Sequence, residues 1–138
     1  MFTVDINYLA VFAAVVANMV IGSLWYSKAL FGKTWIELAG ISEEKMKAGG
    51  GMKKQMIGGL VAALVMAYVL AHFVQYVGAI TISDATQLGF WLWLGFIAPV
   101  TAGSVFYESK SWKLWFLNNC FWLISLIVMA IILTVWTY

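Results

Sequence analysis

The residues of this chain able to do chemistry are few, and most stand inside long apolar runs. Asn18, His72, Gln75, Asn118 and Asn119 interrupt stretches that otherwise carry aliphatic and aromatic side chains. Tyr26, Tyr107 and Glu108 stand where such stretches end, and Pro99 lies within one. A polar group in hydrocarbon is unfavourable unless it has a partner, so each is a candidate for bonding between helices or to a ligand. Catalysis asks for more than isolated groups. No nucleophile stands beside a base, no two carboxylates share a span, and no metal-ligand spacing occurs. The single cysteine, Cys120, can form neither an internal disulfide nor a zinc or iron–sulfur site. Its bulky apolar neighbours predict a buried, inert thiol.

The only histidine, His72, shares a helical row with Tyr68 and Tyr76, with Gln75 nearby. At a rise of ~1.5 Å per residue it sits about 8 Å inside the outer end of its stretch. Asn118 and Asn119 approach from the opposite end, about 15 Å away in depth, too far to share a metal with it. Asp84 is the acid placed to pair with His72 from the outer loop. A haem held between two copies of His72 in a dimer is one alternative, set against a polar anchor near the interface; no metal and no cofactor is expected. At the other end, Tyr26, Tyr107, Glu108, Asn118 and Asn119 fall within about two turns of one boundary. With Asn18 and Pro99 they form the candidate ligand-binding set, a polar pocket under Trp25 and Phe106 suited to a lipid headgroup or small amphiphile. Lys28 or Lys110 would pair with Glu108. The competing reading is an aromatic belt with snorkelling lysines.

The elements that must position these groups follow from composition. Of 138 residues, 64% are hydrophobic, 17% aromatic and only 10% charged. Soluble domains carry about 25% charged residues, and a small fold could not hide so much apolar surface. One proline and abundant aromatics exclude a disordered chain. Four apolar stretches, about 7–26, 55–77, 87–107 and 114–136, each approach the ~20 residues that cross a bilayer as a helix. Runs such as Leu60-Val61-Ala62-Ala63-Leu64 do not alternate, which excludes barrel strands. The expected fold is therefore all-α, a polytopic membrane protein with four transmembrane helices in one domain spanning 1–138. The first run is too long for a signal-peptide core and has no basic residue before it, so it reads as a retained helix.

All eight basic residues are lysines. Lys28, Lys33, Lys45, Lys47, Lys53 and Lys54 lie in the first loop, 27–54, and Lys110 and Lys113 in the third. Positive loops stay cytoplasmic, which predicts both termini outside the cytoplasm, in a cell inner (plasma) membrane. No basic face is clustered enough for nucleic acid, and without arginine no guanidinium fork is present. In the first loop, Leu30, Phe31, Trp35, Ile36 and Leu38 alternate with Lys33 and Glu37, as in a segment lying in the interface. Ser42, Glu43, Glu44, Lys45 and Lys47 predict a short helix ended by Gly49-Gly50-Gly51. The glycines lack the pattern of a phosphate loop.

Helix one ends Gly22-Ser23-Leu24-Trp25-Tyr26-Ser27-Lys28, and helix three ends Gly103-Ser104-Val105-Phe106-Tyr107-Glu108-Ser109-Lys110. This internal repeat suggests two similar hairpins forming a four-helix bundle, an arrangement that places sites at the repeat interface in transporters; boundary aromatics and lysines alone give a similar pattern. The row Ala10, Ala14, Asn18, Gly22 matches Gly59, Ala63, Ala67, Ala71 in helix two. Small residues let helices approach closely, so helices one and two are expected to pack through these rows with Asn18 bonding across. Pro99, flanked by Gly95 and Gly103, removes a backbone donor and predicts a kink, its freed carbonyl to be met by Thr101, Ser104 or Asn18.

The stretches Gly22-Ser23-Leu24-Trp25-Tyr26-Ser27, Leu30-Phe31-Gly32-Lys33 and Trp35 resemble the signature of the DUF1761 family of small integral membrane proteins. Trp93-Leu94-Gly95-Phe96, Glu108, Trp112-Lys113-Leu114 and Asn118 resemble its second half. The likeness covers nearly the whole chain and departs from the family at Lys28, where a proline often follows the Tyr-Ser pair. It implies a four-helix membrane architecture and no activity or site. The reading that emerges is a non-enzymatic structural or accessory protein in contact with membrane lipids, packing as a homo-oligomer or on a larger membrane complex. The alternatives are a channel or transporter for a small or amphiphilic molecule and, more remotely, an enzyme acting on lipid or quinone.

Overall fold

The computed structural model describes residues 3–42, 44, 48 and 51–137. In chain order these form α1 (Tyr8–Trp25), α2 (Gly32–Ala39), α3 (Gly51–Tyr76), α4 (Ile82–Leu92), a π-helical turn (Trp93–Ile97), α5 (Ala98–Tyr107) and α6 (Trp112–Thr137). Among the described residues there is no strand. Four helical stretches are long and apolar enough to cross a membrane: Tyr8–Trp25, Lys53–Tyr76, Ile82–Tyr107 and Trp112–Trp136. Most of the short helix expected from Ser42 to the glycine triplet falls outside the described residues, of which Glu44 and Ala48 are helical.

Local chemistry sets the helix ends. Asn7 caps α1 by accepting from the Leu9 and Ala10 N–H groups at 3.1 and 3.3 Å, meeting donors the first turn leaves unpaired. α3 closes on Gly78 at φ 69°, and the Ala79 N–H returns to the Val74 carbonyl at 3.0 Å, a reversal a left-handed glycine permits. α4 starts at Ile82 rather than near Gln87, because Thr81 and Asp84 build a capping box. Asp84 accepts from the Ile80 and Thr81 N–H groups at 3.0 and 2.9 Å. The expected pairing of Asp84 with His72 is therefore corrected: this carboxylate serves the N-terminus of its own helix.

α6 packs on α1, on α3 and, most extensively, on α4. Its Ser125, Met129, Ala130, Leu133 and Thr134 are buried, and they join Ala14, Ala67, Val74 and Ala85 from the other helices around one core. α1 and α6 run antiparallel. The Asn7 amide donates to the Trp136 carbonyl at 3.4 Å at one end, and the Trp25 indole to the Leu117 carbonyl at 3.1 Å at the other. Gln75 also ties the N-terminal segment to α3, accepting from the Asp5 N–H at 3.0 Å and donating to the Asp5 carbonyl.

The small-residue rows are buried at Ala10, Ala14, Ala63, Ala67 and Ala71, and α1 packs on α3. Two members behave otherwise. Gly59 is exposed, and Gly22 meets Phe121 of α6. Asn18 does not bond to α3; its Nδ2 donates to Ser125 Oγ of α6 at 2.5 Å. The correction has a packing cause: α6 is the helix all others share, and Ser125 is the hydroxyl it presents at that depth. Asn18→Leu and Ser125→Ala should each destabilise the fold by about 0.6–1.7 kcal/mol, the scale of interhelical bonds in membranes. A double-mutant cycle in a denaturant titration should return most of that energy as coupling.

Cys120 is also corrected. It is exposed, because its neighbours Asn119 and Phe121 take the buried side of α6 and the helical twist turns the thiol outward.

Candidate functional site

The third apolar stretch is not one regular helix. At the π turn the Ala98 N–H reaches the Trp93 carbonyl, skipping one residue of the usual pattern. The helix continues as α5 with Pro99 in its first turn, where the missing N–H supplies no donor to the carbonyl one turn back. The irregularity thus falls where the kink was expected at Pro99, as a π turn just before it. The hydroxyls do not serve the carbonyl proposed for them. Thr101 donates to the Ile97 carbonyl at 2.7 Å, Ser104 donates to the Thr101 carbonyl at 2.8 Å, and Asn18 lies on Ser125. Pro99 itself is exposed.

Just beyond this break, α5 and α6 diverge around an open cleft of about 590 Å³. Four of the expected ligand-binding residues line it: Tyr107, Glu108, Asn118 and Asn119. Asn119 is held rigidly at its base. It is 2% exposed, and its Nδ2 donates to Thr101 Oγ1 at 3.0 Å and to the Trp115 carbonyl at 3.0 Å. The Trp115 indole crosses to the Ala98 carbonyl at 3.3 Å, so both helices are bonded to each other below the opening.

Tyr26 comes to this region from α1 without lining the cleft. Its hydroxyl donates to Asn118 Oδ1 at 2.7 Å, and its ring packs on Trp35 of α2 and Phe121 of α6, 5.1 and 5.4 Å between centroids. The interfacial segment expected around Leu30 to Leu38 is thus partly helical, and α2 leans on α6. The two glycine–serine–tyrosine segments end differently: Tyr26 is half-buried, and Tyr107 is 89% exposed.

At the rim, Glu108 follows α5, and Ser109 adopts φ 56°, a left-handed conformation uncommon outside glycine. The Lys110 N–H then bonds back to the Ser104 carbonyl at 3.0 Å. This fold-back brings a carboxylate and an ammonium to one cleft. Among the described residues neither Lys28 nor Lys110 forms an ion pair with Glu108, contrary to the expected pairing. Thr101 and Ser104, expected only beside the carbonyl freed by Pro99, also line the cleft, as do Trp115 and Trp122, which the sequence reading missed. Their spacing was informative: Trp115, Asn118 or Asn119, and Trp122 recur at helical intervals on one face of α6.

His72 and Gln75 lie elsewhere. The His72 Nδ1 is 2.8 Å from the Tyr68 carbonyl, and the imidazole packs edge-on to Tyr68 and Tyr76, 4.7 and 6.0 Å between centroids. His72, Tyr68 and Tyr76 border another open cleft, of about 410 Å³, with Asp5 and Tyr8, and Gln75 does not line it. Among the described residues no group of three metal-ligating side chains converges.

These features define an all-helical protein with four helices able to cross a membrane, consistent with a multi-pass membrane protein. The model of a family described as protein of unknown function, DUF1761, matches residues 9–134, and the chain belongs to that family. Neither the curated proteins nor the solved structures gave a match.

Proposed function

We propose that this is a multi-pass membrane protein that works by holding an amphiphile at the α5–α6 cleft rather than by covalent catalysis. α1 with α3, and α4–α5 with α6, form its two hairpins, and both termini lie outside the cytoplasm. The cleft is the single observation that carries the reading. Its volume falls within the ~300–1,000 Å³ of small-ligand pockets. It combines a polar rim, Tyr107, Glu108, Lys110 and Asn118, with apolar walls from Val100, Leu114 and Trp122. The orientation rests on the lysines: Lys28 and Lys33 follow α1, Lys53 and Lys54 begin α3, Lys110 joins α5 to α6 and Lys113 begins α6. Such loops stay cytoplasmic, which puts the cleft at the inner membrane surface.

A second reading, self-association or packing on a larger membrane complex, is favoured by one feature of α3. Gly58 and Ala62 stand one turn apart on its exposed side, the small-xxx-small spacing that lets helices approach closely.

Native mass spectrometry of the detergent-purified protein tests both. The expected spectrum shows one retained amphiphile per chain. Ser104→Phe, which fills the cleft, should lower the retained fraction about tenfold, a loss of about 1.4 kcal/mol of binding, with helicity unchanged. Retention that Ser104→Phe leaves intact would sink the cleft reading. A complex of two or more chains in the same spectrum would support the second.

A further inference from the structure

We infer that the cleft selects a phospholipid whose headgroup carries a primary ammonium beside its phosphodiester; this rests on the amphiphile-binding reading above. Two opposite charges line one cavity, Glu108 and Lys110, and among the described residues neither is spent on an ion pair. A cavity meant for an anionic headgroup would gain nothing from a carboxylate at its rim, because like charges repel and the anion would lose solvation beside it. A cavity meant for a simple cation has no use for the ammonium. A zwitterion satisfies both.

The geometry divides the headgroup between the two charges. Lys110, held over the last turn of α5 by its N–H bond to Ser104, offers a compact positive charge for a phosphodiester. With no guanidinium in the chain, a lysine point charge is the available means of binding phosphate. Glu108 and the Tyr107 oxygen supply acceptors for an ammonium, and the Ser104 hydroxyl, its proton donated to the Thr101 carbonyl, presents lone pairs. Such acceptors suit an ammonium with N–H donors better than a quaternary one. Trp115 lines the same cleft one turn into α6, where an aromatic ring adds cation–π attraction to an ammonium. The acyl chains leave along Val100 and Trp122, the lining residues that stand furthest along α5 and α6 from the turn that joins them.

The test is competitive native mass spectrometry of the full chain with equimolar phosphatidylethanolamine, phosphatidylcholine and phosphatidylglycerol of identical acyl chains. The wild type should retain phosphatidylethanolamine about tenfold over phosphatidylglycerol, the scale of one charge-assisted hydrogen bond. Glu108→Gln should abolish that preference, while Lys110→Gln should weaken all three lipids and leave the ranking unchanged. Retention of phosphatidylglycerol equal to that of phosphatidylethanolamine, with Ser104→Phe still lowering both, would overturn this inference and leave amphiphile binding standing. Phosphatidylcholine retained as well as phosphatidylethanolamine would overturn the assignment of a primary ammonium. Displacement of the lipid by an equal concentration of water-soluble glycerophosphoethanolamine would reassign the site to a free headgroup. Retention of every lipid indifferent to Ser104→Phe would remove the amphiphile reading itself.

Discussion

Gly89→Leu is expected to abolish the folded protein, and Gly89→Ala to cost about 1–3 kcal/mol, the range for overpacking a filled interior. Gly89 is buried on α4 against α6. A β-carbon there would stand 2.8 Å from the Ile127 Cα and 3.0 Å from its N and Cγ1. Two of those atoms are backbone, so no rotamer change makes room; the helices must separate. Separation is severe here because α4 and α6 share the most extensive helix contact in the molecule, and buried Ala85, Leu88 and Leu126 lie in the same region. A denaturant titration in detergent checks the alanine variant, and the yield of monodisperse protein checks the leucine. Full stability for Gly89→Leu would mean that α4 and α6 do not meet this closely.

The second large effect is expected at the junction between α1 and α2. Gly32→Ala places a methyl within overlap distance of the Tyr26 carbonyl oxygen and 2.8 Å from the carbonyl carbon and oxygen of Ser27. These atoms belong to a tight turn in which the Gly32 N–H bonds the Ser27 carbonyl at 2.8 Å and the Phe31 N–H bonds the Trp25 carbonyl at 3.0 Å. The turn cannot widen without breaking one of them. A loss of about 2–3 kcal/mol is expected from steric conflict with backbone in a buried place. The effect should reach the cleft, because the same turn holds the Tyr26 ring on Trp35 and its hydroxyl on Asn118. Two measurements check it: a lowered unfolding midpoint, and a changed fluorescence spectrum from tryptophans around Trp25 and Trp35. An alanine variant with wild-type stability would show that the turn has room the distances deny.

Much of this architecture was legible in the residues. Four helical spans follow from four uncharged apolar runs, since a chain that cannot satisfy its backbone in lipid must do so within each segment. Helix boundaries were less legible. α4 begins before its apolar run because capping bonds, not hydropathy, start a helix, and Thr81 and Asp84 supply them outside the apolar window. The π turn was hidden for a related reason: Trp93 to Ile97 reads as ordinary apolar helix, and only the skipped bond to Trp93 reveals the break.

The candidate site was legible in part. Tyr107 and Glu108 were recognised by their place at a helix end, and Asn118 and Asn119 by their polarity in an apolar run; all four meet at one cleft. Asn18 was rightly singled out as needing a partner, yet the partner is Ser125, remote in sequence and unremarkable in type. Cys120 was misplaced because an apolar neighbourhood along the chain says nothing about which side of a helix a residue takes.

What the sequence alone determined is whatever depends on solvent preference along the chain: the helical class, the number of spans, the segregation of lysines and the short list of polar groups that must find partners. Only the tertiary structure decided which partner each group takes, that α6 is the helix the others share, and that a carboxylate and an ammonium face one cleft. The physical reason is that hydropathy is a property of segments and survives any rearrangement of helices. Pairing depends on rotation and close approach, set by a few contacts such as Gly89 on Ile127 and Gly32 on Ser27, between residues that adjacency in the chain does not connect.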